Sequence, residues 1–200
     1  LKDTHADPNI VAGAFDFQCD ACCEDSKGYA LSRPAAIHSN LNFNDVVGLD
    51  VAYWKNDVGK EFAFLHFLDE GTLFHLGSHC FEDADSQVRC FETVWLSWAG
   101  PPKEVYLDPA KEYTGDRWTA RMQEEDIKLK MSATDSHWQL GRVEAHGSVV
   151  KRMLDRMNSE KPILNNEGFQ AALRQVFNAK NAMSRVQGFT PQQAEIGRAH

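Results

Sequence analysis

Two hundred residues, 42% of them hydrophobic, are enough to bury one substantial core with at most a small appendage. No run of about 18 apolar residues occurs, which excludes a transmembrane helix, and Leu1-Lys2-Asp3-Thr4-His5 lacks the apolar centre of a signal peptide. A net charge of −8 weighs against a nucleic-acid partner, which usually requires a basic surface. It does not exclude one, because a site made of carboxylates adds to the acidic count.

The first forty residues differ from the rest. They contain Cys19-Asp20-Ala21-Cys22-Cys23 and then a polar stretch with Ser32-Arg33-Pro34-Ala35-Ala36, and residues 31–42 read as a linker. The chain starts without Met, as expected of a fragment of a longer polyprotein. Its five cysteines, an odd number without framework spacing, indicate a reducing compartment and a protein that is not secreted.

From Asp45 a regular pattern begins. After Asp45, the run to Trp54 is apolar on both faces apart from Asp50, as a central strand requires. Glu61 to Leu68 and Thr72 to Cys80 are strand-like, with Glu70-Gly71 as the turn between them, so the first three strands form an antiparallel meander. Val88, Phe91, Trp95 and Trp98 recur at helical spacing after polar Asp83 to Ser86, until Gly100-Pro101-Pro102 stops the run. Val105-Tyr106-Leu107 is a short strand that enters Asp108-Pro109. Trp118 and Met122, four apart, mark a short helix, and Ile127, Leu129 and Met131 alternate with lysines as on an edge or half-buried strand. The last third is helical, with one apolar stripe of Val143, Val150, Leu154 and Met157 and another of Phe169, Leu173, Val176 and Phe177. The order β-β-β-α-β-α-β-α-α points to an α/β layer fold with a mixed sheet.

Three acids stand out against this frame. Asp50 interrupts an apolar strand, where a carboxylate is expensive unless paired, protonated or bound to a cation. Asp108 stands where the fourth strand ends, and strand ends are where sites gather in open α/β sheets. Glu144 begins the long helix, on the side that carries Ser148, Lys151 and Asp155. Singly each has an ordinary reading: a buried ion pair for Asp50, a turn at Asp108-Pro109, and the helix dipole for Glu144. Thirty-five residues separate Asp108 from Glu144, yet among 29 acidic residues such a spacing arises by chance. The positions on the elements are the specific signal.

That pattern resembles the catalytic core of retroviral and long-terminal-repeat retrotransposon integrases, with its Asp, Asp-35-Glu signature. Val47-Gly48-Leu49-Asp50 looks like the first catalytic strand of that family, and Leu107-Asp108-Pro109-Ala110-Lys111-Glu112-Tyr113 like the second. Gln139-Leu140-Gly141-Arg142-Val143-Glu144 resembles Gln-Asn-Gly-x-x-Glu. Gly188-Phe189-Thr190-Pro191-Gln192-Gln193 with Gly197-Arg198 resembles the segment that closes the core. The resemblance spans roughly residues 40–198. Leu140, Pro109-Ala110 and Ser148 depart from the family pattern, the last where a basic residue is common.

The resemblance implies an RNase H-like mixed five-stranded sheet flanked by helices over residues 43–200. It implies two Mg²⁺ or Mn²⁺ ions, which suit hard oxygen ligands, with Asp50 bridging both and Asp108 and Glu144 each completing one shell. The activity implied is DNA 3′-end processing and strand transfer, with DNA ends and target DNA as partners. A homo-oligomer, no membrane, and action in the nucleus after passage through the cytoplasm are implied with it. Arg142, Lys151 and Arg152 are candidates for phosphate contact, against the ordinary reading of a solvated helix face. Residues 1–30 would then be the remnant of an N-terminal zinc module, with Cys19 and Cys22 as half a Zn²⁺ site whose His pair is not in the chain. The competing function is a degenerate retroelement relic, binding nucleic acid or protein at most.

The remaining histidines carry less. His75 and His79, four apart on a strand, are about 13 Å apart, too far for one ion, and read with Cys80 and Cys90 as ordinary strand and loop residues. His137 and His146, close to Glu144 in sequence, are candidates for substrate contact.

Overall fold

The computed structural model describes residues 41–80, 83–107, 116–131, 137–185 and 188–196, all within the part of the chain that runs from Ile37 to His200. Cys19, Cys22, the residues before 41, Asp108 and Gly197-Arg198 lie outside the described residues.

Apolar alternation produces the strands where expected: β1 (Val46–Lys55), β2 (Glu61–Asp69), β3 (His75–His79), β4 (Glu104–Leu107) and β5 (Lys128–Met131). They form one mixed sheet in the order β3-β2-β1-β4-β5. β1 is the central strand, antiparallel to β2 and parallel to β4. The β1–β2 loop fixes the register that matters most. Asn56 accepts from the Lys60 amide at 2.8 Å and Gly59 takes φ +85°, a conformation that favours glycine. Lys55 therefore faces Glu61, and Asp50 faces His66.

β3 is shorter than the expected Thr72–Cys80. Buried Asp69 accepts from Thr72 N at 2.6 Å and Thr72 Oγ1 at 2.8 Å, and Leu73 adopts φ +60°. These contacts hold Thr72–Phe74 in a turn.

The helices are α1 (Ala84–Phe91, continuing through a π-helical stretch Glu92–Leu96 and a last turn Ser97–Ala99), α2 (Asp116–Glu124), α3 (His137–Glu160), α4 (Asn166–Met183) and α5 (Pro191–Ile196). Asp83 caps α1 through Ser86 N, and Gly100 ends its last turn at φ +72°, as the sequence indicates. Helix α5 was not anticipated, although its signal is in the sequence. Thr190 and Gln193 form a reciprocal capping box at 3.0 and 3.1 Å around Pro191.

Strand alternation divides the core in two. Val47, Leu49, Leu65 and Phe67 pack with Phe91, Trp95, Trp118 and Met122 under α1 and α2. Ala52, Trp54, Phe62 and Phe64 pack on the opposite face with Val150, Leu154, Phe169, Leu173 and Phe177 of α3 and α4. Asp50 lies between Gly48 and Ala52 on this second face, beneath α3.

Candidate active site

α3 starts about two turns before Glu144, so Glu144 is not the helix-start residue that the sequence suggested and the helix dipole does not account for it. Two glycines let α3 lie directly on the sheet. A Cβ on Gly48 would overlap Val143 Cγ2, and one on Gly147 would stand 2.9 Å from His66 Nε2. Farther along, Trp54 Nε1 donates to Asp155 Oδ1 at 2.7 Å. Gly48 to Trp54 spans about 20 Å of strand and Val143 to Asp155 about 18 Å of helix, so α3 runs alongside β1 and in the same direction.

Helical geometry then decides which way each side chain of α3 faces, at about 100° per residue. Val143, Gly147, Val150 and Leu154 form the face on the sheet. Arg142 and His146 fall on the flank toward β2 and β3, where Arg142 Nη1 bonds Glu70 Oε2 at 2.5 Å and the His146 ring packs edge-on against His75 at 5.9 Å. Glu144, Ser148, Lys151 and Asp155 fall on the other flank, toward β4. Glu144 is exposed there, and Lys151 and Arg152 are half-buried farther along the helix.

Parallel pairing sets Gly48 against Tyr106. β4 thus brings the chain at Leu107 level with Leu49, one residue short of Asp50, and the next residue in sequence is Asp108. Asp50 and Glu144 thus stand on the strand and the helix that meet where Gly48 faces Val143, with β4 paired to the same strand. Among the described residues no Lys or Arg pairs with either acid, and no group of three His, Cys, Asp or Glu side chains is set to hold a metal ion. Asp108, the third acid, is outside those residues, as are Cys19 and Cys22.

Sequence reasoning missed the surroundings of Asp50. His66, fully buried, places Nε2 3.5 Å from Asp50 Oδ2, and its Nδ1 lies 3.0 Å from His75 Nε2. His75 is anchored on both backbone groups by Asn181, at 2.9 and 2.8 Å. Burial, then Lys180 and the neighbouring histidines, hold the His75 imidazole well below the ordinary histidine range. His146, considered for substrate contact, instead faces this cluster, and burial followed by Lys180 and Arg142 lowers its pKa to about 3. Burial likewise brings Lys180 down to about 8. The signal that could have located His66 was the hairpin loop, which dictates the partner of Asp50 once its length is read.

Arg142 has a structural partner. Burial raises the Glu70 carboxyl, and the Arg142 guanidinium draws it back. His75 and His79 stand at the two ends of β3, the second with its amide on Gln170 Oε1 at 2.8 Å. Cys80 and Cys90 are buried.

No protein-family model matches the chain, and no curated protein matches it. Among solved structures, it is similar to the HTLV-2 integrase catalytic core in complex with magnesium, with a TM-score of 0.65 and 17% identity over 77% of this chain and 97% of that one. It is similar also to the simian T-cell lymphotropic virus intasome in complex with the PP2A regulatory subunit B56 gamma, with a TM-score of 0.70 and 16% identity over 95% of this chain and 67% of that one. The BIV integrase catalytic core matches at a TM-score of 0.63 and 13% identity, over 77% of this chain and 95% of that one. The mixed five-stranded sheet flanked by helices is the RNase H-like fold of these integrase cores.

Proposed function

We propose that this chain, which has the fold of retroviral integrase catalytic cores, is itself a metal-dependent polynucleotidyl transferase that processes DNA 3′ ends and joins them to target DNA. One observation carries the reading. Asp50 in the central strand and exposed Glu144 stand on the strand and the helix that meet where Gly48 faces Val143, and β4, which directly precedes Asp108 in the chain, pairs with that same strand.

The donor set fits divalent cations. Two carboxylates without a Lys or Arg partner among the described residues leave negative charge that a hard cation with some of its waters would compensate. Asp50, Asp108 and Glu144 are the residues that would hold Mg²⁺ or Mn²⁺, which when bound supplies activation of the attacking hydroxyl and stabilisation of the leaving oxygen in an in-line displacement. The protein's own contribution is positioning. β1 fixes Asp50, and the glycine-lined seat of α3 fixes Glu144. Lys151 and Arg152 offer positive charge to the DNA backbone along the same helix. A homo-oligomer and action in the nucleus belong to the same reading.

Arg142 bound to Glu70 and the net charge of −8 favour the second reading, a relic that keeps the fold and has lost DNA processing. The test is disintegration of a branched DNA substrate by the full chain in Mn²⁺ or Mg²⁺, beside Asp108→Asn. Metal-dependent product that vanishes in the variant supports catalysis. A folded protein with no product and no metal-induced rise in melting temperature supports the relic.

A further inference from the structure

We propose that His66 is a positioning residue for Asp50, its Nε2–H directed at Oδ2 by a hydrogen bond from His75 Nε2–H to His66 Nδ1, so that the carboxylate is held in the orientation that binds a divalent cation. The inference rests on the metal-dependent reading above.

Register makes the contact. Asp50 and His66 are directly opposed across β1 and β2, so their side chains share the face beneath α3. The next residue across the sheet from His66 is Gly77, which has no side chain. The ring of His75, its diagonal neighbour, therefore reaches His66 Nδ1. The His66 ring is enclosed by Phe64, His75 and Gly147.

Electrostatics sets the direction of the pair. A neutral imidazole has one N–H and one acceptor nitrogen. If His66 donated from Nδ1 to His75, its Nε2 lone pair would face the Asp50 carboxylate, acceptor against acceptor. With His75 as donor, His66 turns its N–H to the carboxylate. At 3.5 Å this is a charge–dipole contact and not a hydrogen bond, and buried His66 Nε2 has no hydrogen-bond partner among the described residues. Burial of His75 and the nearby Lys180 keep that ring neutral, as the arrangement requires. Ligating carboxylates are commonly oriented by such outer groups.

The test uses the full chain, with ¹⁵N spectra of the histidine rings and Mn²⁺ titration followed by electron paramagnetic resonance. We expect the wild-type His66 proton on Nε2, with Nδ1 unprotonated. His66→Phe should weaken Mn²⁺ binding about 10-fold, and His66→Gln, which retains an N–H donor near that position, should recover to within about threefold of wild type. Asp50→Asn is the control. If it binds Mn²⁺ like wild type, the metal reading fails and takes this inference with it. If Asp50→Asn is impaired while His66→Phe is not, the metal reading stands and the role of His66 is overturned. Equal losses in His66→Phe and His66→Gln would reduce His66 to packing and also overturn it. Should both variants misfold, the wild-type spectrum decides, because a proton on Nδ1 contradicts the proposal and one on Nε2 supports it.

Discussion

Trp54 Nε1 donates to Asp155 Oδ1 at 2.7 Å, a bond between residues 101 apart in the chain that ties the acid-bearing strand β1 to the acid-bearing helix α3. Trp54 is buried, so without the bond its indole N–H would have no acceptor from α3. Asp155→Ala is expected to lower stability by about 1–2 kcal/mol. Asp155→Asn, which keeps a carbonyl acceptor, should lose less. Urea denaturation measures both, and an unchanged midpoint in Asp155→Ala would show that the bond contributes nothing.

The seat of α3 on the sheet predicts opposite outcomes for two glycines of that helix. A Cβ at Gly147 meets the His66 ring, whereas one at Gly141 meets nothing within 4 Å. Gly147→Ala should cost about 1–3 kcal/mol through overpacking. Gly141→Ala should be neutral or stabilising by up to about 1 kcal/mol, the helix preference for alanine. Thermal or urea unfolding of the two variants side by side separates local strain from helix propensity.

Lys180 predicts an alkaline dependence of stability. Its folded pKa is about 8 against an ordinary 10.5, because of burial, and the titratable groups facing it are His75 and His146. Above about 10.5 the lysine is neutral folded or unfolded. As pH falls toward 8 the unfolded chain takes up a proton that the folded protein does not, so stability drops by roughly 2–3 kcal/mol over that window and then levels off. Lys180→Met should abolish this slope. Urea midpoints at pH 8, 9 and 10 that rise equally in wild type and variant would contradict it.

Arg142 and Lys151 should separate in their effects. Arg142→Ala strands the largely buried Glu70 carboxylate and is expected to cost about 1–3 kcal/mol of stability, with the salt dependence of DNA binding unchanged. Lys151→Ala should leave stability within about 0.5 kcal/mol and reduce the salt slope of DNA binding by about 1. A reversed pattern in fluorescence-anisotropy titrations would move the DNA contact to Arg142.

For catalysis, Asp50→Asn and Glu144→Gln should each reduce the rate of metal-dependent DNA joining by about 10²- to 10³-fold or more, as loss of several kcal/mol of transition-state stabilisation requires. Single-turnover assays on branched DNA supply the measurement. Rates within a factor of about three of wild type would remove these residues from the mechanism.

Most of the fold was legible in the sequence, because strand and helix periodicity are local properties. Asp50 could be placed on a central strand since its neighbours are apolar on both faces, and Glu144 on the polar side of a helix since Val143, Val150 and Leu154 define the other side. Thr190-Pro191-Gln192-Gln193 carries an equally local signal for α5. The start of β3 was not legible, because Asp69 holds Thr72 and Leu73 in a turn although their side chains suit a strand.

The surroundings of the acids were decided by tertiary structure alone. The sequence by itself determined the order of the elements and which acids interrupt them, because each depends on residues a few positions apart. That His66 faces Asp50, that Arg142 meets Glu70 and that His146 turns inward depend on hairpin register and on where α3 settles on the sheet. Those are contacts across tens of residues, set by the close approach of helix and sheet at Gly147 and Gly48 and by pairing buried polar groups with one another.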